Sequence, residues 1–138
     1  YLKAMDAHTL AQRYVSSFEE YKDLVLVAVK DDEVLGYSCF SHNDKDGKYD
    51  SELISLYVKK EEAGRGIGSN LLIETAKELL DNGKHNMIVW CLSDNKNAIS
   101  FYEGLGGVNV EEKEALIGDE YYKEYGFYFD LETVTGRK

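Results

Sequence analysis

The chain has 138 residues, close to the ~150-residue scale of one domain and long enough to bury a core without a metal or disulfide staple. Hydrophobic residues make up 43% and charged residues 30%, a balance that excludes intrinsic disorder. Acidic residues outnumber basic ones 26 to 16, for a formal charge of -10, so nucleic acid is not an expected partner, whereas cations, amines among them, are attracted.

From about Leu2 to Tyr21 the pattern predicts a helix, with Leu10, Tyr14 and Phe18 recurring every four residues. Leu24 to Val29 is a continuous apolar run suited to a buried strand. Asp31-Asp32 is a turn, and Val34 to Ser41 completes a hairpin. Asn43 to Lys48 is a polar loop, and a third strand runs from about Glu52 to Val58. A charged, glycine-rich connection, Lys59 to Gly68, leads to a helix over Ser69 to Asn82. Gly68, Leu72, Ala76 and Leu79 line one face of that helix, and Gly83 stands at its left-handed cap. A strand over Met87 to Leu92 and a helix over Asn97 to Gly104 follow. Two last strands, Val108 to Leu116 and Tyr121 to Leu131, are separated by Gly118-Asp119. This order predicts one α/β domain over residues 1–138, with a mixed sheet flanked by helices.

The unit from Glu52 to Asn82 carries the most information. Ala63-Gly64-Arg65-Gly66-Ile67-Gly68-Ser69 places glycines at alternate positions immediately before a helix. Glycine allows tight turning and close approach, and the first amides of a helix have no intrahelical partner, so an anion is favoured there. Arg65 adds a forked cation. The arrangement suits a phosphate or diphosphate; the alternative is an ordinary glycine-rich loop. A Walker loop is excluded because Ser69-Asn70 follows Gly68, and the dinucleotide fingerprint fails at Ser69 or at Leu71.

With these residues the chain resembles the GCN5-related N-acetyltransferases. Their acetyl-CoA loop, [Q/R]-x-x-G-x-[G/A], is matched at Gly66 and Gly68, while Ala63 stands where the pattern has Gln or Arg and leaves the backbone donors in place. A second family pattern, N-x-x-A-x-x-F-Y-x-x-x-G, is met by Asn95, Ala98, Phe101, Tyr102 and Gly106, with Gly107 in place of the usual following aromatic. Together the two patterns cover about Glu52 to Gly107. The resemblance implies a mostly antiparallel mixed sheet, acetyl-CoA as co-substrate and no metal. It implies a cofactor site of Leu56, Tyr57, Val58, the loop Ala63 to Ser69, Asn95, Ala98 and Tyr102. Asn95 would bond the pantetheine arm, Val58 would offer its amide to the oxyanion, and Tyr102 would give a proton to the departing thiolate. The alternative for Tyr102 is core packing beside Ala98, Phe101 and Leu105. The family fold usually opens with a strand and a helix before the region of Leu10; a chain starting in a helix lacks that strand or hides it.

A base must take a proton from the attacking amine. Alternation puts Glu52, Ile54, Leu56 and Val58 on one face of their strand, and Leu53, Ser55 and Tyr57 on the other. Glu52 stands six residues before Val58, where histone-type members of the look-alike family carry their base, whereas the position used by ribosomal-protein types is Trp90. Glu52 is therefore the expected base, directly or through water, against the alternative of a solvated carboxylate.

Other constellations fall away. Asp44, Asp46, Gly47, Asp50 and Glu52 suggest a calcium loop, but Tyr49 occupies the place of its glycine. His8, His42 and His85 are scattered, so zinc is not expected. Cys39 and Cys91 sit in apolar runs as packed thiols, which points to a reducing, cytoplasmic setting. No apolar run nears a membrane span, and nothing at Tyr1 resembles a signal peptide. The C-terminal tyrosines suit strands; alternatively Tyr121 and Tyr122 line an acceptor pocket for an ammonium group. The expected function is acetyl transfer from acetyl-CoA to a primary amine of a small molecule or protein, the acceptor being cationic. The other class considered is a non-catalytic CoA or acetyl-CoA sensor. The resemblance also allows a homodimer.

Overall fold

The computed structural model describes residues 10–15, 23–44 and 46–136, with residues 10–15 and 23 described through their backbone. Among the described residues seven strands form one sheet in the order β1-β2-β3-β4-β5-β7-β6. They are β1 (Leu10–Val15), β2 (Asp23–Lys30), β3 (Glu33–Ser41), β4 (Glu52–Val58), β5 (Asn86–Leu92), β6 (Val108–Ile117) and β7 (Glu120–Asp130). The helices are α1 (Ile67–Asp81), α2 (Lys96–Gly104) and α3 (Leu131–Thr135). All pairings are antiparallel except β4 with β5.

The helix expected over Leu2 to Tyr21 is corrected at residues 10–15, which form β1 against β2; Phe18 and the rest of that stretch lie outside the described residues. A spacing of four is two strand periods as well as nearly one helical turn, so Leu10 and Tyr14 fit either element. The neighbouring apolar strand β2 offers a ladder partner, and Tyr14-Val15 favour extended backbone. The β2–β3 hairpin closes at Asp31 and Asp32, both in the left-handed region (φ 51° and 66°), as a tight hairpin turn requires.

Leu24, Leu26 and Ala28 of β2 and Phe40 of β3 face one side of the sheet and bury against α1. Ser38 joins them through a 2.7 Å hydrogen bond to Thr75 Oγ1 of α1. Helix α1 begins two residues earlier than its apolar pattern predicts, because Ile67 is buried at its first turn. It ends at Gly83 as expected: Lys84 N donates to Leu79 O and Gly83 N to Leu80 O, the double bond of a Schellman cap. Helix α3, which sequence patterning does not predict, is capped by Asp130, whose carboxylate accepts from Glu132 N and Thr133 N. The core continues through Met87 and Val89 of β5 and Phe127 and Phe129 of β7, all on the α1 side.

Candidate active site

β4 and β5 pair only at Glu52–Ile88 and Leu53–Val89, after which no ladder joins them. β5 continues to Leu92 against β7, and β4 continues to Val58 against β3. Lys59 N donates to Leu35 O at 2.7 Å, which fixes the phase of the β3–β4 ladder. Residue pairs in an antiparallel ladder alternate between mutually bonded and unbonded. The Tyr57–Tyr37 pair therefore shares bonds with β3, and the N–H and C=O groups of Leu56 and Val58 point into the gap beside β5. The Tyr57 side chain stays on the face away from the helices, its ring 5.6 Å from that of Tyr37.

Ile54 corrects the expected alternation. Cys39 pairs with Ser55 but Phe40 pairs with Leu53, so Ile54 is the extra residue of a β-bulge. Beyond the bulge Leu56 and Val58 share the helix-covered face with Leu53, while Glu52 turns to the opposite face. The expected common face of Glu52 with Leu56 and Val58 is thus not formed. A one-residue insertion reverses every side chain before it.

The glycine loop lies at the end of this gap. Ala63 is extended and its N–H donates to Lys60 O. Gly64 and Gly66 are both left-handed (φ 82° and 81°), and a Cβ on either would meet nothing within 4 Å. Gly66 caps α1 without a side-chain bond, and the first intrahelical bond of the cap runs from Asn70 N to Gly66 O at 3.0 Å. The amides of Ile67, Gly68 and Ser69 thus precede the first helical carbonyl able to accept them. Arg65 is exposed and pairs with Glu62 at 3.4 Å. A Cβ on Gly68 would lie 3.3 Å from the Phe101 ring and 3.4 Å from a Val58 methyl, so this glycine lets α1, α2 and the end of β4 meet.

Helix α2 sets Phe101 beside Gly68 and Tyr102 against β7. Asn95 caps it by accepting from Ala98 N at 3.1 Å, so the Asn95 side-chain carbonyl is committed to the helix. Ala98 and Phe101 pack on the core. Tyr102 is buried against Phe127 and Phe129, with ring centroids 6.0 and 6.1 Å away. Burial pushes its phenol up to about 12, with Cys91 adding to the shift. The packing reading of Tyr102 holds for its ring, which belongs to the core. Gly106, left-handed at φ 99°, and Gly107 close α2, with Gly107 N donating to Tyr102 O at 2.9 Å.

Glu52 and Tyr102 therefore stand on opposite faces of the sheet, with the β4–β5 gap between their faces. Tyr121 and Tyr122 also point to opposite faces, as successive strand residues do, which corrects their expected joint pocket; Tyr122 bonds Glu120 at 3.1 Å. Asp44 uses its carboxylate on the amides of Asp46, Lys48 and Tyr49, which makes it the internal brace of its loop. Cys91 is half-buried, and burial, with Glu124 nearby, raises its thiol. Sequence reasoning missed the bulge. Its signal was the adjacent apolar pair Leu53-Ile54, which breaks a period of two.

The open stretch between β4 and β5 thus leads to the glycine-capped mouth of α1. The profile of the acetyltransferase (GNAT) family matches residues 3–106, and the chain belongs to that family. Among curated proteins it is similar to the uncharacterized N-acetyltransferase YuaI of Bacillus subtilis, 31% identical over 80% of this chain and 69% of that one. It is also similar to the thialysine N-epsilon-acetyltransferase of Bos taurus, 35% identical over 59% of this chain and 48% of that one. Among solved structures, YncA of Salmonella typhimurium with its cofactor acetyl-CoA superposes with a TM-score of 0.67 and 25% identity, over 79% of this chain and 65% of that one. The chain thus spans about half of the bovine relative and about two thirds of the other two.

Proposed function

We propose that this chain is an N-acetyltransferase carrying the acetyl group of acetyl-CoA directly to a primary amine. The observation that supports it most is the gap between β4 and β5, with the Leu56 and Val58 amides aimed into it. A pantetheine arm is an extended diamide, and the open edge of β4 offers it the bonds a neighbouring strand would make. The amides of Ile67, Gly68 and Ser69, with the left-handed Gly64 and Gly66, suit the diphosphate. Arg65 can exchange Glu62 for a phosphate oxygen, because its present ion pair is solvent-exposed and weak. The YncA relative's acetyl-CoA and the bovine relative's amine substrate agree with this assignment.

In this reading the acceptor amine reaches the gap from the face that carries Glu52. Glu52, directly or through one water, takes the ammonium proton, and the nitrogen lone pair then attacks the thioester carbonyl. The Val58 N–H donates to the oxyanion as the tetrahedral centre forms. The tetrahedral centre then collapses: the C–S bond breaks, the nitrogen passes its second proton to water, and the thiolate leaves hydrogen-bonded to the Tyr102 hydroxyl. A phenol near 12 is protonated throughout the physiological range, so the donor is always loaded. Against a thiol near ~8.5 it is the weaker acid, so its contribution is a hydrogen bond that strengthens as charge develops.

The test is thiol release from acetyl-CoA in the presence of primary amines. Turnover is expected, and Tyr102→Phe lowers kcat by roughly 10- to 100-fold, the worth of a hydrogen bond to a charged group, with acetyl-CoA affinity unchanged. Saturable acetyl-CoA binding without thiol release across an amine panel would instead make the chain a sensor.

A further inference from the structure

Trp90, the protein's one tryptophan, is the first residue of β5 beyond the last pair with β4. It stands on the Glu52 face of the sheet, next to the gap. Its indole lies against Gly126 of β7, where a Cβ would come within 2.9 Å of two ring atoms; only glycine lets the ring lie so close to the strand. Lys113 of β6 holds its Nζ over that ring, 3.9 Å from the centroid.

The charges around this contact favour a cation. Glu124 is the cross-strand neighbour of Lys113, and Glu111 shares the same face. Glu111 is engaged by Lys48 at 3.1 Å and by the Tyr49 hydroxyl. Among the described residues Lys113 forms no ion pair, and its ammonium rests on the indole. Lys113 is exposed and long-stemmed, and cation–π contacts at exposed sites are weak, so a second ammonium can displace it. Glu52 and Trp90 lie one strand and two residues apart, roughly 8 Å between Cα atoms. A chain of about five methylenes bridges such a span with an amine at each end.

We infer that the face of Trp90 under Lys113 receives a second ammonium group of the acceptor, with Lys113 as the tethered cation that occupies the ring until the acceptor arrives. The favoured acceptor is then a diamine, or another molecule with two ammonium groups, whose reacting amine sits at Glu52. This rests on the N-acetyltransferase reading, but the site can be tested without transfer.

Because Trp90 is the only tryptophan, its fluorescence reports the site directly. Titration with 1,5-diaminopentane is expected to change the emission saturably, at least ~10-fold more tightly than pentylamine, since an ammonium on an indole adds what a methyl cannot. Lys113→Ala, which empties the ring, is expected to tighten diamine binding several-fold and to leave pentylamine unchanged. Equal affinities for the two amines overturn the inference, as does weaker diamine binding in Lys113→Ala. So does a preference for 5-aminopentanoate that Lys113→Ala abolishes, which would make Lys113 a carboxylate reader. Turnover of pentylamine and diaminopentane with the same KM sinks this inference and keeps the proposed activity. Tight diamine binding without turnover of any amine does the reverse.

Discussion

At Gly107 there is no room for a methyl group. A Cβ there would lie 2.7 Å from the Phe129 ring and 2.9 Å from the Tyr102 carbonyl oxygen. Gly107→Ala is therefore expected to destabilise the fold by about 1–3 kcal/mol, the usual cost of overpacking, read as a lowered denaturant midpoint. The family pattern has an aromatic at this place, and in this chain Phe129 fills that space from β7. Tyr102 was legible in the sequence because the residues around it form a dense pattern; its burial was also legible, from the apolar face it shares with Ala98 and Phe101. The facing of Glu52 was not legible. It depends on whether Ile54 is counted into the ladder, and a single strand's sequence does not reveal which residue its neighbour skips.

Among the elements, the strands and helices from Leu24 onward lie close to where apolar period and glycine punctuation place them. The failure at Leu10–Val15 has a definite cause, since the spacing of its large apolar residues satisfies both periods and only pairing with β2 separates the two outcomes. Helix α3 carried a readable signal: Asp130 as N-cap and Gly136 as left-handed terminus. Its shortness hid it within the apolar run of β7. The docking of α1 on β3 includes a buried polar pair, Ser38 and Thr75, and Thr75 Oγ1 also donates to Leu71 O at 2.7 Å. Thr75→Val keeps the shape and strands the Ser38 hydroxyl, so a loss of about 1–3 kcal/mol is expected in equilibrium unfolding, and Ser38→Ala combined with Thr75→Val should recover part of it. The edge strand β6 shows why strands alone do not reveal partners. It exposes Val108, Val110, Leu116 and Ile117, yet Glu111, Glu112, Lys113 and Glu114 interrupt it, as charges do on edges that resist pairing.

Over the whole molecule the charge of -10 suits the proposed cationic acceptor and opposes an anionic carrier, so the proposed carrier site draws mainly on backbone donors. Two cations beside the loop have carboxylate partners, Lys59 with Glu33 and Arg65 with Glu62. No helix of the described residues is long and apolar enough to cross a membrane. Two phenols link folding to pH. Burial raises Tyr102 to about 12, and burial together with the Glu111 hydrogen bond raises Tyr49 to about 12, from an ordinary ~10. A raised phenol binds its proton more tightly when folded, so its stabilisation is complete below pH ~10 and is lost as pH climbs toward 12. Denaturation midpoints should accordingly be insensitive to these groups up to about pH 9 and fall between pH 10 and 12, with a shallower fall in Tyr49→Phe. The central claim, that amides at the mouth of α1 and along the open edge of β4 hold a CoA thioester, is most directly tested by calorimetric titration of acetyl-CoA into the wild-type protein and Gly66→Ala. A methyl on Gly66 meets nothing in the protein within 4 Å, so its effect falls on the strained left-handed backbone and on the ligand. One-to-one binding that weakens at least ~10-fold in a folded Gly66→Ala protein is predicted. Absence of heat with folded wild-type protein, or equal affinity in the variant, would contradict the account.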